Sequence, residues 1–177
     1  MFISFEGLDG CGKTTQINLL SDKLKTLAYD VVFIREPGGT LISERIREIL
    51  LDKKHLGMNE ITELLLFSAA RAQLVNEVIK PSLAQSKIVL CDRYVDSTTA
   101  YQGYGRGLRL GAVKTINTVA TLGVMPQLTF MIDLPLEELE QRKRQTGTDA
   151  DRMELSGRLF YEKVRTGYLE MAAAEPH

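Results

Sequence analysis

Short apolar runs alternate along the chain with longer stretches in which apolar residues recur every three or four positions. FISFE (2–6), DVVFI (30–34), KIVLC (87–91) and LTFMID (128–133) are brief and rich in β-branched or aromatic residues, and each predicts a buried strand. Between them, Ile17, Leu20, Leu24 and Leu27 mark one amphipathic helix from Lys13 to Leu27. Ile42, Ile46 and Ile49 mark a second, after PGGT. A long helix is predicted from about Glu60 to Ile79, with Pro81 interrupting it. Further helices are predicted up to Leu122, from Leu136 to Arg144, and from near Met153 onward. The Gly-rich bend GYGRGLRLG (103–111) and the polar loop QTGTDAD (145–151) fall among them. Strands alternating with helices in this way predict an α/β fold, a parallel sheet wrapped by helices. There is no internal repeat, linker or low-complexity tract.

The 177 residues suit one domain, and 44% apolar with 25% charged residues allows a core without disulfides. The two cysteines, Cys11 and Cys91, fit neither a metal spacing nor a disulfide framework. A net charge of −1 argues against nucleic acid or an acidic membrane surface as partner. The N-terminus lacks a basic segment followed by a long apolar one, and the longest apolar cluster, LLLFSAA, is far too short to cross a bilayer. The expectation is a soluble cytoplasmic protein.

The stretch GLDGCGKT (7–14), directly after the first strand, fits the phosphate-loop pattern G-x-x-x-x-G-K-[ST]. Glycines let successive N–H groups face one anion, and the following helix adds the positive end of its dipole. The residues Gly7, Leu8, Asp9, Gly10, Cys11, Gly12, Lys13, Thr14 and Thr15 are therefore assigned to a nucleoside triphosphate. Lys13 reaches the β- and γ-phosphates, and the Thr14 hydroxyl can hold Mg²⁺. The loop does not name the reaction, since GTPases, motor ATPases and small-molecule kinases share it.

Ligands collect beyond the carboxyl ends of parallel strands. The second strand ends in REPGGT, with Arg35, and the third in DRY, Asp92 to Tyr94. Asp92 is placed to fix the metal through water, and Arg35 and Arg93 bring two guanidinium groups to the same cleft. An acceptor that is itself a phosphate needs such cations: like charges at 4 Å repel by roughly 4 kcal/mol at an effective dielectric near 20, and arginine forks offset this. No general base is required, and the two histidines, His55 and His177, lie in a charged loop and at the terminus. Phe67 and Arg71, four apart on one helix face, can hold a pyrimidine by stacking and by hydrogen bonds. Equally, Phe67 can be core and Arg71 can snorkel to solvent, and taken alone the pair favours this second reading. Ser97, Tyr101 and Gln102 recur at about one-turn intervals and can line a nucleoside site.

Together, FEGLDGCGKTTQ, REPGGT, LLLFSAARAQL, DRYVDSTTAYQG and RKRQTGTDADR resemble bacterial thymidylate kinases, in the expected order and over nearly the whole chain. The resemblance implies a three-layer P-loop kinase fold with strand order 2-3-1-4-5. It implies a single domain over 1–177 with a lid at about 142–153, and the fifth strand and last helix of the family would follow the final AAAEPH. It implies transfer of the ATP γ-phosphoryl group to dTMP, a need for Mg²⁺, and a homodimer. Phe67 would stack on thymine and Arg71 would bond its carbonyl edge. Arg35 and Arg93 would grip the acceptor phosphate, and Asp9 would face the 3′-hydroxyl or the acceptor side of the metal. Tyr101 would lie where a ribose 2′-hydroxyl would sit, with Ser97 and Gln102 completing the site. No arginine lies inside the phosphate loop, so the transition-state cation would come from the lid, from Arg142, Arg144 or Arg152. Gln73 stands where many members have histidine, and no role is carried to it. Two other readings remain: a kinase for another pyrimidine monophosphate such as dUMP or dCMP, and a nucleotide-gated ATPase module.

Overall fold

The computed structural model describes residues 1–146 and 151–175. Four parallel strands, β1 (Phe2–Glu6), β2 (Val31–Arg35), β3 (Ile88–Asp92) and β4 (Leu128–Met131), form one sheet in the order β2-β3-β1-β4. This is the α/β parallel arrangement that the alternation predicts, and the order matches the first four positions of the expected 2-3-1-4-5.

Side chains of successive strand residues point to opposite faces, and both faces here are apolar. Ile3 and Phe5 of β1 join Ile88 and Leu90 of β3 against Ile17 of α1 (Lys13–Thr26). Phe2, Val89 and Cys91 face the other way, toward Leu74, Val75 and Ile79. The helices therefore cover the sheet from both sides, which is why the strands read as continuous apolar runs. A third apolar cluster, containing Leu8, Tyr101, Leu136, Leu139, Phe160 and Tyr168, ties the phosphate loop to α7 (Leu136–Thr146) and α8 (Arg158–Ala174).

Local chemistry sets the helix starts. Thr40 caps α2 (Leu41–Leu51) by accepting from the Ser43 N–H at 3.1 Å, and Asn59 caps α3 (Glu60–Leu74) by accepting from the Ile61 N–H at 2.9 Å. Pro81 does not end the long helix. A wide π-helical turn over Val75–Ile79 leads into α4 (Lys80–Ala84), and Pro81 sits in the first turn of that segment, where its missing N–H costs little. The last helix begins at Arg158 rather than near Met153. A single 3₁₀ turn at Glu154–Ser156 precedes it, and Gly157, with φ of 82°, breaks the path. The segment after β3 is helical, α5 (Val95–Thr98) running into a π-helical stretch at Thr99–Gly105, and α6 spans Leu110–Thr121.

The register sets Phe5 and Arg35 beside Asp92, and Glu6 beside Met131. The carboxyl ends of all four strands are thus level, and their loops open on one side of the sheet.

Candidate active site

The phosphate loop leaves β1 through Gly7, whose φ is 136°. A Cβ there would lie 2.3 Å from the Ile132 carbonyl oxygen, so only glycine fits between the loop and β4. Gly12, with φ of 102°, turns the chain into α1. Leu8 and Cys11 point inward and are buried, whereas Asp9, Gly10, Thr14 and Thr15 are exposed to the cleft. The Lys13 ammonium is buried beneath the loop and donates to the carbonyls of Leu8 at 2.8 Å and Gly7 at 3.2 Å. Burial, together with the nearby Arg93 cation, lowers the Lys13 pKa. Thr14 donates through its hydroxyl to Asp92 Oδ2 at 2.7 Å, which sets a hydroxyl and a carboxylate oxygen side by side at the mouth of the loop.

Arg93 follows β3 with φ of 74°, a strained backbone for a side chain with a Cβ. Its guanidinium is held by Asp9 Oδ1 at 2.7 Å, Ser97 Oγ at 3.1 Å, Tyr168 Oη at 3.1 Å and Tyr101 Oη at 3.3 Å. It also lies 5.1 Å from the centroid of the Tyr101 ring. Desolvation pushes the Asp9 carboxyl up, but the Arg93 and Lys13 cations outweigh it and hold its pKa at about 2. Beneath this cluster the buried Glu6 carboxylate accepts from the Tyr94 N–H at 2.7 Å and the Ser97 hydroxyl at 2.6 Å. Burial raises the phenol pKa of Tyr101 and Tyr168, so both stay protonated donors.

Two hollows flank Arg93. One, of about 440 Å³, is lined by Gly12, Lys13, Thr14, Thr15, Arg35 and Asp92. The other is lined by Phe67, Arg71, Ser97, Thr98, Tyr101 and Gln102. They share Asp9, Glu36, Arg47 and Arg93, so they meet along one seam. The second hollow is the smaller, enclosing about 100 Å³.

Arg35 is exposed and pairs with Glu44 at 3.1 Å. Arg71 does not snorkel. It is 2% exposed, and its donors reach Glu36 Oε2 at 2.7 Å, Asn117 Oδ1 at 2.9 Å, and the Tyr94 carbonyl and Thr98 Oγ1 at 3.0 Å each. Phe67 is half-buried in the same hollow. Burial pushes the Glu36 carboxyl up to about 7 against the pull of Arg71, and its Oε1 is buried without a hydrogen-bond partner among the described residues.

Of the three arginines expected in the lid, Arg142 donates to the Gly10 carbonyl at 3.2 Å, which brings α7 to the phosphate loop. Arg144 is exposed and bonds the Glu140 carbonyl. Arg152 departs from the expectation. It is 4% exposed, its Nε donates to the Leu50 carbonyl at 2.6 Å, and its NH1 pairs with the buried Glu63 at 2.6 Å. A guanidinium consumed by a buried carboxylate is an anchor rather than a free lid cation. Residues 147–150 of the expected lid lie outside the described residues.

The geometry adds residues that motif spacing missed. Arg47, on α2, lines both hollows and donates to the Pro37 carbonyl at 2.9 Å. Glu36 bonds Arg71 and Tyr168 bonds Arg93, while Glu6 accepts from the Ser97 and Tyr168 hydroxyls beneath them. Glu6 and Glu36 stand inside FEGLDG and REPGGT, so attention to the carboxylates within those motifs would have found them. Nothing local marks Arg47 or Tyr168.

The family model described as thymidylate kinase matches residues 5–177. The chain belongs to the thymidylate kinase family. It is 50% identical over 175 residues to a thymidylate kinase of Caldanaerobacter subterraneus subsp. tengcongensis, covering 99% of this chain and 83% of the relative. It is 51% identical over 180 residues to one of Geotalea daltonii, covering 98% and 84%. Among solved structures, thymidylate kinase from Ehrlichia chaffeensis superposes with a TM-score of 0.82 at 42% identity, over 100% of this chain and 89% of that one. Fold and family thus agree with the resemblance carried by REPGGT and DRYVDSTTAYQG.

Proposed function

We propose that this thymidylate kinase family member transfers the γ-phosphoryl group of ATP to dTMP, giving dTDP and ADP. The observation that supports this best is the seam of Asp9, Arg47 and Arg93 between the two hollows. A triphosphate held by the glycine loop and Lys13 ends at that seam, and so does the phosphate of a nucleotide whose base lies between Phe67 and Arg71. An oxygen of the acceptor phosphate attacks the γ-phosphorus as its bond to the ADP oxygen breaks. The acceptor is already largely ionised at neutral pH, so no base is needed. The protein has to bring two polyanions together in line, and cations from four chain segments do so: Lys13, Arg35, Arg47 and Arg93. Arg142 and Arg144 are the lid cations assigned to the migrating group.

The hard oxygen pair of Thr14 and Asp92 suits Mg²⁺. When bound there, the ion would neutralise phosphate charge as the β–γ bridge opens.

We assign Phe67 and Arg71 to the base, Ser97, Tyr101 and Gln102 to the rest of the nucleoside, and Asp9 to the sugar or metal side. A coupled assay with dTMP, dUMP, dCMP and AMP tests the substrate: dTMP is expected to give the highest kcat/KM, and a different leader overturns the assignment. The 5-methyl group is worth only about 1–3 kcal/mol, so the lead over dUMP will be about 10- to 200-fold at most. A homodimer is also proposed. Helices α2 and α3 expose Leu41, Ile42, Ile49, Ile61 and Leu65, a run of apolar side chains suited to a second copy. Sedimentation at micromolar concentration is expected to give twice the chain mass, and a monomer would overturn this part.

A further inference from the structure

We propose that Glu63, which lies outside both hollows, is a positioning residue that clasps the walls of the acceptor hollow together. The proposal rests on reading that hollow as the dTMP site. Glu63 stands four residues before Phe67 and eight before Arg71, on one stripe of α3. Its side chain is 1% exposed. Oε1 accepts from Gln102 Nε2 at 2.9 Å and Arg106 Nε at 3.0 Å, and Oε2 accepts from Arg106 NH2 at 3.0 Å and Arg152 NH1 at 2.6 Å. Burial pushes the carboxyl up, but the bonds from Arg106 and Gln102 outweigh it and keep it ionised.

Two of the partners bear on different walls, and the third ties in a neighbouring helix. Gln102 lines the hollow itself and adjoins Tyr101. Arg152 is flanked by Asp151 and Met153, and both of these line the hollow. Its Nε and backbone N–H bond the carbonyls of Leu50 and Leu51, so the end of α2 is drawn into the same arrangement. Arg106 stacks at 4.5 Å on the Phe160 ring and brings in α8. Segments more than 80 residues apart in sequence therefore converge on one carboxylate. Only an anion can do this. An amide in its place would offer one good acceptor and turn its NH₂ donors toward two guanidinium groups. Binding to a wall that is already ordered avoids the cost of ordering it at the moment of binding, so the clasp acts on acceptor affinity.

Steady-state kinetics of the full chain, with dTMP and ATP varied separately, test this. Glu63→Gln is expected to raise KM for dTMP about tenfold while KM for ATP stays within about twofold. Arg152→Gln is expected to shift the same constant, and the double variant to shift it by less than the product of the two. A residue that only supports the fold would lower the melting temperature and leave KM for dTMP alone. That result, an equal rise in both KM values, or strictly multiplicative effects would overturn the proposal. If Glu63→Gln does not fold, Arg106→Gln is the readout, since the Arg106 side chain is less buried, at 20% exposed: a raised KM for dTMP supports the clasp and an unchanged one overturns it. Phe67→Ala separates the two levels. If it leaves KM for dTMP unchanged, the hollow is not the acceptor site and the clasp falls with it. If it raises KM while Glu63→Gln does not, the clasp alone fails.

Discussion

The Thr14 hydroxyl and the Asp92 carboxylate, 78 residues apart in sequence, meet at 2.7 Å where the first turn of α1 faces the end of β3. The contact joins the phosphate loop to the DRY segment. It follows from the sheet order, because β3 lies directly beside β1 and the two strands end level.

Asp92→Asn keeps the size and the hydrogen bond but removes the charge. The expected result is a fall in kcat of about 10- to 100-fold, with KM for dTMP nearly unchanged and a higher Mg²⁺ concentration needed for half-maximal rate. Magnesium titrations at saturating substrates check it. An unaltered metal requirement would remove Asp92 from the metal site.

Gly7→Ala forces a methyl group into the Ile132 carbonyl oxygen, which is itself aligned by the Ile132 N–H bond to the Glu6 carbonyl at 2.9 Å. Neither backbone can give way without unpairing β4 from β1. Stability is expected to drop by more than about 1 kcal/mol and KM for ATP to rise. Gly57→Ala, where the added carbon meets open space and φ is not positive, is expected to be silent by both thermal melting and kinetics.

Much of this site was legible in the sequence because parallel sheets impose a rule: whatever follows a strand arrives at the same edge. Four strands and three motifs therefore placed Lys13, Arg35, Asp92 and Arg93 together without coordinates. What stayed hidden depends on packing between elements. The Phe67–Arg71 spacing fits a base platform but taken alone favours a snorkelling pair, and only the contacts of Glu36, Tyr94, Thr98 and Asn117 show that Arg71 points inward. Arg152 reads as one more lid cation, because nothing near it in sequence reveals Glu63, some ninety residues earlier. Pro81 misled for a local reason: a π-helical turn lets the chain carry a proline that an unbroken α-helix would reject.

Asp96, which lines neither hollow, gives a pH test. Burial, together with the Glu6 and Glu175 carboxylates, pushes it up to about 7. A carboxyl raised in the folded state holds its proton while the unfolded chain releases its own. Folding therefore takes up protons, and stability falls as pH rises from about 4 to 7. Above 7 the penalty is complete. Asp96→Asn is expected to lessen the fall of the melting temperature between pH 4 and 7, the remainder belonging to Glu36, and to raise it at pH 8. A slope as steep as in the parent protein would show that another group carries it.

Arg71 and Glu36 form a deeply buried ion pair, at 2.6 Å with side chains 2% and 5% exposed. Such a pair contributes less to stability than its Coulomb energy suggests, because both charges have been taken out of water. Its weight shows when one partner goes. Arg71→Met leaves Glu36 facing Glu6 with no guanidinium between them, and the acceptors Asn117, Thr98 and the Tyr94 carbonyl lose their donor. Destabilisation of about 3–5 kcal/mol is expected in urea or thermal melts. Glu36→Gln added to Arg71→Met removes the orphaned charge, so the double variant is expected to regain a substantial part of that loss. The regained stability should be larger at pH 8 than at pH 6, because without Arg71 burial drives the Glu36 carboxyl further up and holding its proton in the fold costs more as pH rises. Kinetics separate this structural role from the proposed base recognition: the double variant is expected to fold yet keep a raised KM for dTMP, since the side chain assigned to the base is still missing. A double variant with both stability and KM restored would show that Arg71 serves the fold alone.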